Sequence, residues 1–219
     1  MRRQSHKLHF YLFFIIVLSF SEIHAEVIPN LSTVKSELIA YHDSGRWEKE
    51  MYNVVSQAKI YLQKQIVKGG KIAIVIDVDE TALSKWKQIK AADFAFLPEL
   101  NADWFYSKKA IANQPILDLY LFALKQNCFI FFIAGRPERF RDATIENLKK
   151  AGYTQWADLI LRPNDDHDDS VVPFKSGARK RITEKGYRIL ANIGDQYSDL
   201  EGGYAEKTFK IPNPMYFIK

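Results

Sequence analysis

Between residues 32 and 69, apolar side chains recur every three or four positions: Met51, Val54, Val55, Ala58, Tyr61, Leu62 and Ile66. That period places them on one face of a helix. Gly45 is expected to divide the region into two helices, and Gly69-Gly70 to end the second. From residue 71 onward the pattern changes. Short unbroken apolar runs at 71–77, 128–134, 158–161, 189–194 and 208–211 have the length and composition of buried strands. Amphipathic stretches at about 114–126, 138–151 and 175–186 lie between them as crossover helices. Alternation of this kind predicts an α/β fold, a Rossmann-like parallel sheet with helices on both faces, preceded by a helical segment. Residues 84–113, rich in Trp, Phe and Lys, are too many for a plain βα loop and are expected to form a small, mainly helical cap.

The start of the chain has a different pattern. The basic stretch "MRRQSHK" precedes the apolar run "LHFYLFFIIVLSF" and then "SEIHA", which ends in a small residue. This is the order of a secretory signal peptide over residues 1–25, cut between Ala25 and Glu26. The run falls short of the roughly 20 residues needed to span a bilayer, so no stable membrane anchor is expected. Residues 26–219 then form a single domain, exported to the periplasm or the exterior. Loss of Arg2, Arg3, Lys7 and Glu22 lowers the formal charge from +5 to +3. Without a polybasic tract, that balance gives no ground for a nucleic-acid polymer as partner. A homo-oligomer stays open. The single cysteine, Cys128, lies within an apolar strand, so an exported chain of this kind is held together by its core and not by an internal disulfide. Asn30-Leu31-Ser32 fits a glycosylation acceptor.

In a parallel α/β sheet, ligands bind beyond the carboxyl ends of the strands. Those ends are Asp77, Ala134 and Asp195. The first, in "KIAIVIDVDETAL", sets Asp77, Asp79 and Glu80 directly behind a buried strand. Like charges so close repel, and a hard divalent cation with oxygen ligands removes the conflict. The second end continues as "AGRPERFRDATIENL", where backbone N–H groups entering a helix suit an anion. Lys175 stands in "VVPFKSGARKRI", and the last end, "IGDQYSDL", adds Asp195 and Asp199, four residues apart. Each of these motifs alone also describes an ordinary solvated turn. The acidic run around His167 is read as a solvated loop rather than a second metal site.

Taken together and in this order, the motifs resemble those of the haloacid dehalogenase (HAD) superfamily. They are most similar to its secreted acid phosphatases, the class B/class C group known as subfamily IIIB, with their plant relatives the vegetative storage proteins. "DVDETAL", "FFIAGRPERFRDATIENLKKAGY", "FKSGARKRI", "IGDQYSDLEG" and the closing "FKIPNPMYFIK" carry the resemblance over essentially the whole mature chain. It implies a HAD-like fold and an acid phosphatase acting on a small phosphomonoester. Asp77 is then the nucleophile, Asp79 the general acid and base, and Lys175 the cation that neutralises Asp77. The implied cofactor is Mg²⁺, held by Asp77, the backbone carbonyl of Asp79 and Asp195, with Asp199 assisting. Thr81 is expected to pin the first turn by hydrogen bonding, and Ala134 and Gly135 to meet the phosphate. The family's usual Ser or Thr is replaced by Ala134, a lost donor of about 1.5–3 kcal/mol. Trp86, with Trp104, Phe105 and Tyr106, is expected to face a nucleobase or aryl leaving group, or else to close the cap's own core. Two other functions fit the same motifs: a storage or binding protein, and a phosphotransferase that passes the phosphoryl group to an alcohol.

Overall fold

The computed structural model describes residues 28–219. The expected signal peptide and its cleavage point lie outside the described residues. Strand β1 (Lys71–Ile76) is buried on both faces apart from its first residue, as its unbroken apolar composition requires. It occupies the middle of a five-stranded sheet with β4 (Phe129–Pro137) and β5 (Asp158–Arg162) on one side, and β6 (Tyr187–Gly194) and β7 (Lys207–Lys210) on the other. Every pairing is parallel, with Ile74 level with Ile130 and Val75 level with Asn192. The five predicted strands are thus all present. β6 begins two residues before its expected start, at Tyr187.

Side chains alternate between the two faces of the sheet. Ile72, Ile74 and Ile76 join Ile130 and Phe132 in the larger core, where they meet α2 (Arg46–Ile66), α5 (Gln114–Lys125) and Leu148 of α6 (Arg141–Lys150). Ala73, Val75, Phe131 and Ile133 face the opposite way, onto Ala178 and Ile182 of α7 (Val172–Glu184). The helical stretch before the sheet divides as expected into α1 (Leu31–Asp43) and α2, at a left-handed turn that Gly45 supplies with φ +79°.

Two short strands, β2 (Leu83–Ser84) and β3 (Ile111–Ala112), pair antiparallel and mark where the chain leaves the sheet layer and returns. Between them run α3 (Trp86–Ala91) and α4 (Pro98–Ser107). This excursion packs against α1, with Trp86 stacked on His42 and ion pairs from Lys90 to Asp43 and from Lys35 to Asp93. A short helix, α8 (Tyr197–Leu200), follows β6. Among the described residues no helix is long and apolar enough to cross a membrane.

Candidate active site

The chain turns sharply where β1 ends. The Asp77 N–H still donates to Ile193 O at 2.9 Å, and then Ala82 N and Leu83 N return to the carbonyls of Asp77 and Val78. Glu80 sits in this turn at φ +56°, a costly backbone for a residue with a Cβ. Buried contacts hold it there. Asn113 Nδ2 donates to the carbonyls of Glu80 (3.0 Å) and Thr81 (2.8 Å), and the Tyr153 hydroxyl donates to Ala82 O at 2.9 Å.

Asp77 and Asp79 both reach the same cavity but meet different cations. Lys175 Nζ donates to Asp77 Oδ1 at 2.7 Å and also to Asp199. α7 begins at Val172, three residues before the expected start, so Lys175 lies within its first turns and not at its first residue. Asp79 is gripped by Arg136, whose Nε and terminal nitrogen each donate to one carboxylate oxygen at 2.9 Å. Arg136 is itself fixed by Thr144 Oγ1 at 3.1 Å and by the Phe105 ring, 4.2 Å below its guanidinium.

The second acidic pair follows β6. A Cβ at Gly194 would stand 2.4 Å from Asp199 Cβ, so only glycine lets the strand end approach this side chain. Asp195 accepts from Thr81 Oγ1 (3.0 Å), Gln196 Nε2 (2.7 Å) and Asn213 Nδ2 (2.6 Å). Thr81 therefore ties the first motif to the last. One oxygen from each of Asp77, Asp195 and Asp199 lies within 4.8 Å of the others, and all three residues are buried. Burial and the neighbouring Asp199 push Asp77 well above the ordinary carboxylate range, although Lys175 pulls it down; Asp195 is raised by the same two causes. Burial alone would lower Lys175, but Asp199 and Asp77 outweigh it and raise the ammonium above its usual value. One lysine does not balance three carboxylates. An all-oxygen set of this kind fits a hard divalent cation such as Mg²⁺.

The remaining carboxylates are settled without a metal. Burial would raise Asp79, yet Arg136, with Lys85 beyond it, holds the group below the ordinary range. Glu80 is fully buried, and that burial pushes its carboxyl up to about 8. One of its oxygens accepts from Lys85 N and the other has no partner, so at neutral pH the side chain carries a proton. The crowding of acids behind β1 is thus relieved in three ways: by a lysine and a cation site, by an arginine, and by neutralisation.

Above these groups opens a cavity of about 700 Å³, walled by the cap residues Phe94, Phe96 and Phe105, by Phe140, and by the segment Met215–Lys219. Of the residues expected to meet substrate, Gly135 lines it. Ala134 is fully buried in the core; Thr81, expected to pin its own turn, spends its hydroxyl on Asp195 and does not line the cavity. Trp86 does not line it: the indole stacks on His42 with ring centroids 3.9 Å apart, and its N–H donates to Asp43. Trp104 packs against the main core, Tyr106 is exposed beside Phe140, and of the four aromatics only Phe105 reaches the cavity. Sequence reasoning passed over Arg136 as a partner of Asp79, Asn113 as the clamp on the turn, and Asn213 on Asp195. Arg136 had a signal, two residues beyond the expected strand end at Ala134, although the strand itself runs on to Pro137. The two asparagines act across 32 or 33 and 18 positions of chain and had none.

The fold and the order of these groups along it are those of the HAD superfamily. Residues 18–219 match the family described as HAD superfamily, subfamily IIIB (Acid phosphatase), and the chain belongs to that family. It is 40% identical over 155 residues to "Acid phosphatase 1" of Solanum lycopersicum, an alignment covering 68% of this chain and 60% of that protein. The chain thus spans about three fifths of the length of that relative. "Vegetative storage protein 1" of Arabidopsis thaliana is 31% identical over 203 residues, covering 87% of this chain and 74% of the relative. The class C acid phosphatase from Bacillus anthracis shares the fold with a TM-score of 0.70 at 22% identity, over 85% of this chain and 86% of that one.

Proposed function

We propose that residues 26–219 form one exported, Mg²⁺-dependent acid phosphatase domain, capped by residues 84–113, that hydrolyses small phosphomonoesters through an aspartyl-phosphate on Asp77. The observation that carries this reading is the pair Asp77 and Asp79, two residues apart on one cavity wall, each with its own buried cation. Asp77, Asp195 and Asp199 would hold the metal, with the Asp79 carbonyl beside them. When bound, the ion supplies positive charge between the anionic nucleophile and the anionic phosphoryl group.

Everything else falls to the chain's own side chains. Lys175 keeps the Asp77 carboxylate oriented toward the cavity and offsets its charge as it attacks phosphorus. The P–O bond to the leaving group then breaks, and the departing oxygen takes a proton. Asp79 is placed to give it, but gripped by Arg136 it is ionised and ready as a base. To act first as an acid it must leave the arginine fork and take up a proton from solvent, and a bound phosphate competing for that guanidinium provides the reason to leave. Asp79, then ionised again, takes a proton from the water that hydrolyses the acyl phosphate. The aromatic walls suit an aryl or nucleoside leaving group.

Purified protein lacking residues 1–25 is expected to hydrolyse an aryl phosphate at some point between about pH 4 and 8 and to stop when a chelator is added. Absence of metal-dependent turnover across that range rejects the reading in favour of a storage or binding protein. Phosphate found on added glycerol or nucleoside, instead of in solution, would make the protein a phosphotransferase. Export is checked by the mass of the protein recovered outside the cytoplasm, expected to start at Glu26.

A further inference from the structure

Three of the cations that line the cavity are buried, and they come from different parts of the chain. Lys175 answers Asp77 and Asp199, and Arg136 answers Asp79. The third is Lys85, at the entry to the cap. It is only 8% exposed, and its ammonium donates to the neutral amide oxygen of Asn101 at 2.6 Å. The Phe105 ring centroid lies 5.4 Å away. Among the described residues no carboxylate comes within 4.0 Å of Lys85 Nζ. Lys85, Asn101 and Phe105 all line the cavity that also holds Asp77 and Asp79. Lys85 is near enough to the reacting groups for its charge to act on the Asp79 carboxyl, after that of Arg136.

Buried charges are ordinarily paired, because an ammonium withdrawn from water without a counter-charge is costly. An amide and an aromatic face orient Lys85 without neutralising it. The geometry points to Lys85 and Asn101 as a substrate subsite that receives an anionic oxygen on the cap side of the cavity. This rests on the proposed phosphatase function and adds to it: Lys85 completes its ion pair only when the substrate arrives. Two parts of a substrate carry such an oxygen, the phosphoryl group itself and a second acid group on the leaving group.

The test uses the protein without residues 1–25, Mg²⁺, and three probes. These are inorganic phosphate titrated by calorimetry, phenyl phosphate, and carboxyphenyl phosphate, which differs from it by one carboxylate. Lys85→Met is expected to weaken binding by about ten-fold or more, the scale of one hydrogen bond to a charged group. If the phosphoryl oxygens are the ligand, the Kd of phosphate and both KM values rise together. If the leaving group supplies it, only the KM of carboxyphenyl phosphate rises, and wild type prefers that ester to phenyl phosphate. In either case Lys85→Arg restores most of the affinity. Where Met perturbs folding, Lys85→Gln removes the charge and keeps a donor near Asn101. The assignment is overturned if a variant that melts like wild type keeps all three constants, or if only kcat falls, which would make Lys85 a structural neighbour of Asp79. The phosphate titration needs no turnover, so an inactive wild type would count against the phosphatase reading and leave the phosphoryl arm intact; the unhydrolysed carboxyphenyl phosphate, titrated by calorimetry into wild type and Lys85→Met, would then decide the other arm.

Discussion

The carboxyl edge of the sheet and the cap are built on opposite principles. At the edge, Asp77, Asp195 and Asp199 crowd together out of water, and two of the three have carboxyls raised by burial and by one another. That region gives up folding stability to hold charge at the cavity, where the proposed phosphoryl transfer would use it. The cap shows the reverse. Its attachment to α1 comes from the Trp86–His42 stack, the Trp86–Asp43 hydrogen bond and exposed ion pairs, none of which faces the cavity. The edge concentrates charge and strains the fold; the attachment of the cap supports the fold and stands outside the cavity. Substitutions that separate the two roles test this division directly.

The largest effect is expected at Asp77. Asp77→Asn removes the proposed nucleophile, and hydrolysis of an aryl phosphate should fall by at least about 10³-fold. Stability should move the other way. Because the folded-state carboxyl of Asp77 is raised above its ordinary value of 3.8, its contribution is full below that value and is lost as pH rises through the folded value. At neutral pH without metal, the neutral asparagine should therefore melt at or above the wild-type temperature. Mg²⁺ should then raise the melting temperature of wild type and do so little for the variant, since a ligand at a hundred times its Kd contributes about 2.7 kcal/mol. A variant that melts well below wild type in chelator would show that the edge supports the fold after all.

Trp86 is the counterpart in the cap. Trp86→Ala should cost about 3–5 kcal/mol, the usual penalty for emptying a large aromatic site. The folded fraction should keep its kcat toward phenyl phosphate within a few-fold, because the indole stands outside the cavity. Trp86→Phe, which keeps a ring against His42, should recover most of the stability. If Trp86→Phe instead raises KM for aryl substrates while melting normally, Trp86 belongs to the substrate face.

Asn113 lies at the boundary between the two regions, where the chain returns from the cap. Its side-chain amide serves two buried carbonyls of the turn that carries Asp79. Asn113→Ala leaves both without that donor, at about 1–3 kcal/mol for the loss. The rate should drop with the Kd of inorganic phosphate nearly unchanged, since Asn113 places the turn and does not line the cavity. Loss of stability with an unaltered kcat would confine Asn113 to the cap's attachment.

The same division explains what could be read from the chain. Asp77 and Asp195 each follow a buried strand at once, and Asp199 stands four residues beyond Asp195, so periodicity and spacing located all three. Residues in the cap and around it are placed by partners remote in the chain. Trp86 is paired with His42, 44 positions earlier, and nothing in "LSKWKQ" says whether an indole turns toward the cavity or toward α1. Glu80 illustrates the limit at the edge itself. Its spacing marks it as a third carboxylate, while its neutral state depends on complete burial that only the folded turn creates.

His42 should give the smallest and most local effect. Its ring lies between Trp86 and Trp47, with centroids 3.9 and 4.9 Å away, and Nε2 is buried without a partner. Burial lowers its pKa below the ordinary 6.5 against the upward pull of Asp43, and Lys90 adds to the lowering. With the folded value below the unfolded one, the neutral ring stabilises the protein fully above about pH 6.5 and loses that contribution as pH falls through the folded value. The hold of α1 on the cap should therefore loosen on acidification, in the range where an acid phosphatase works. His42→Phe preserves the stack and removes the titration. Its melting temperature should fall less steeply than that of wild type between about pH 6.5 and 5. Parallel profiles for the two proteins would mean that the acid sensitivity of the fold comes from the edge alone, and that the cap is attached with the same strength at every pH in that range.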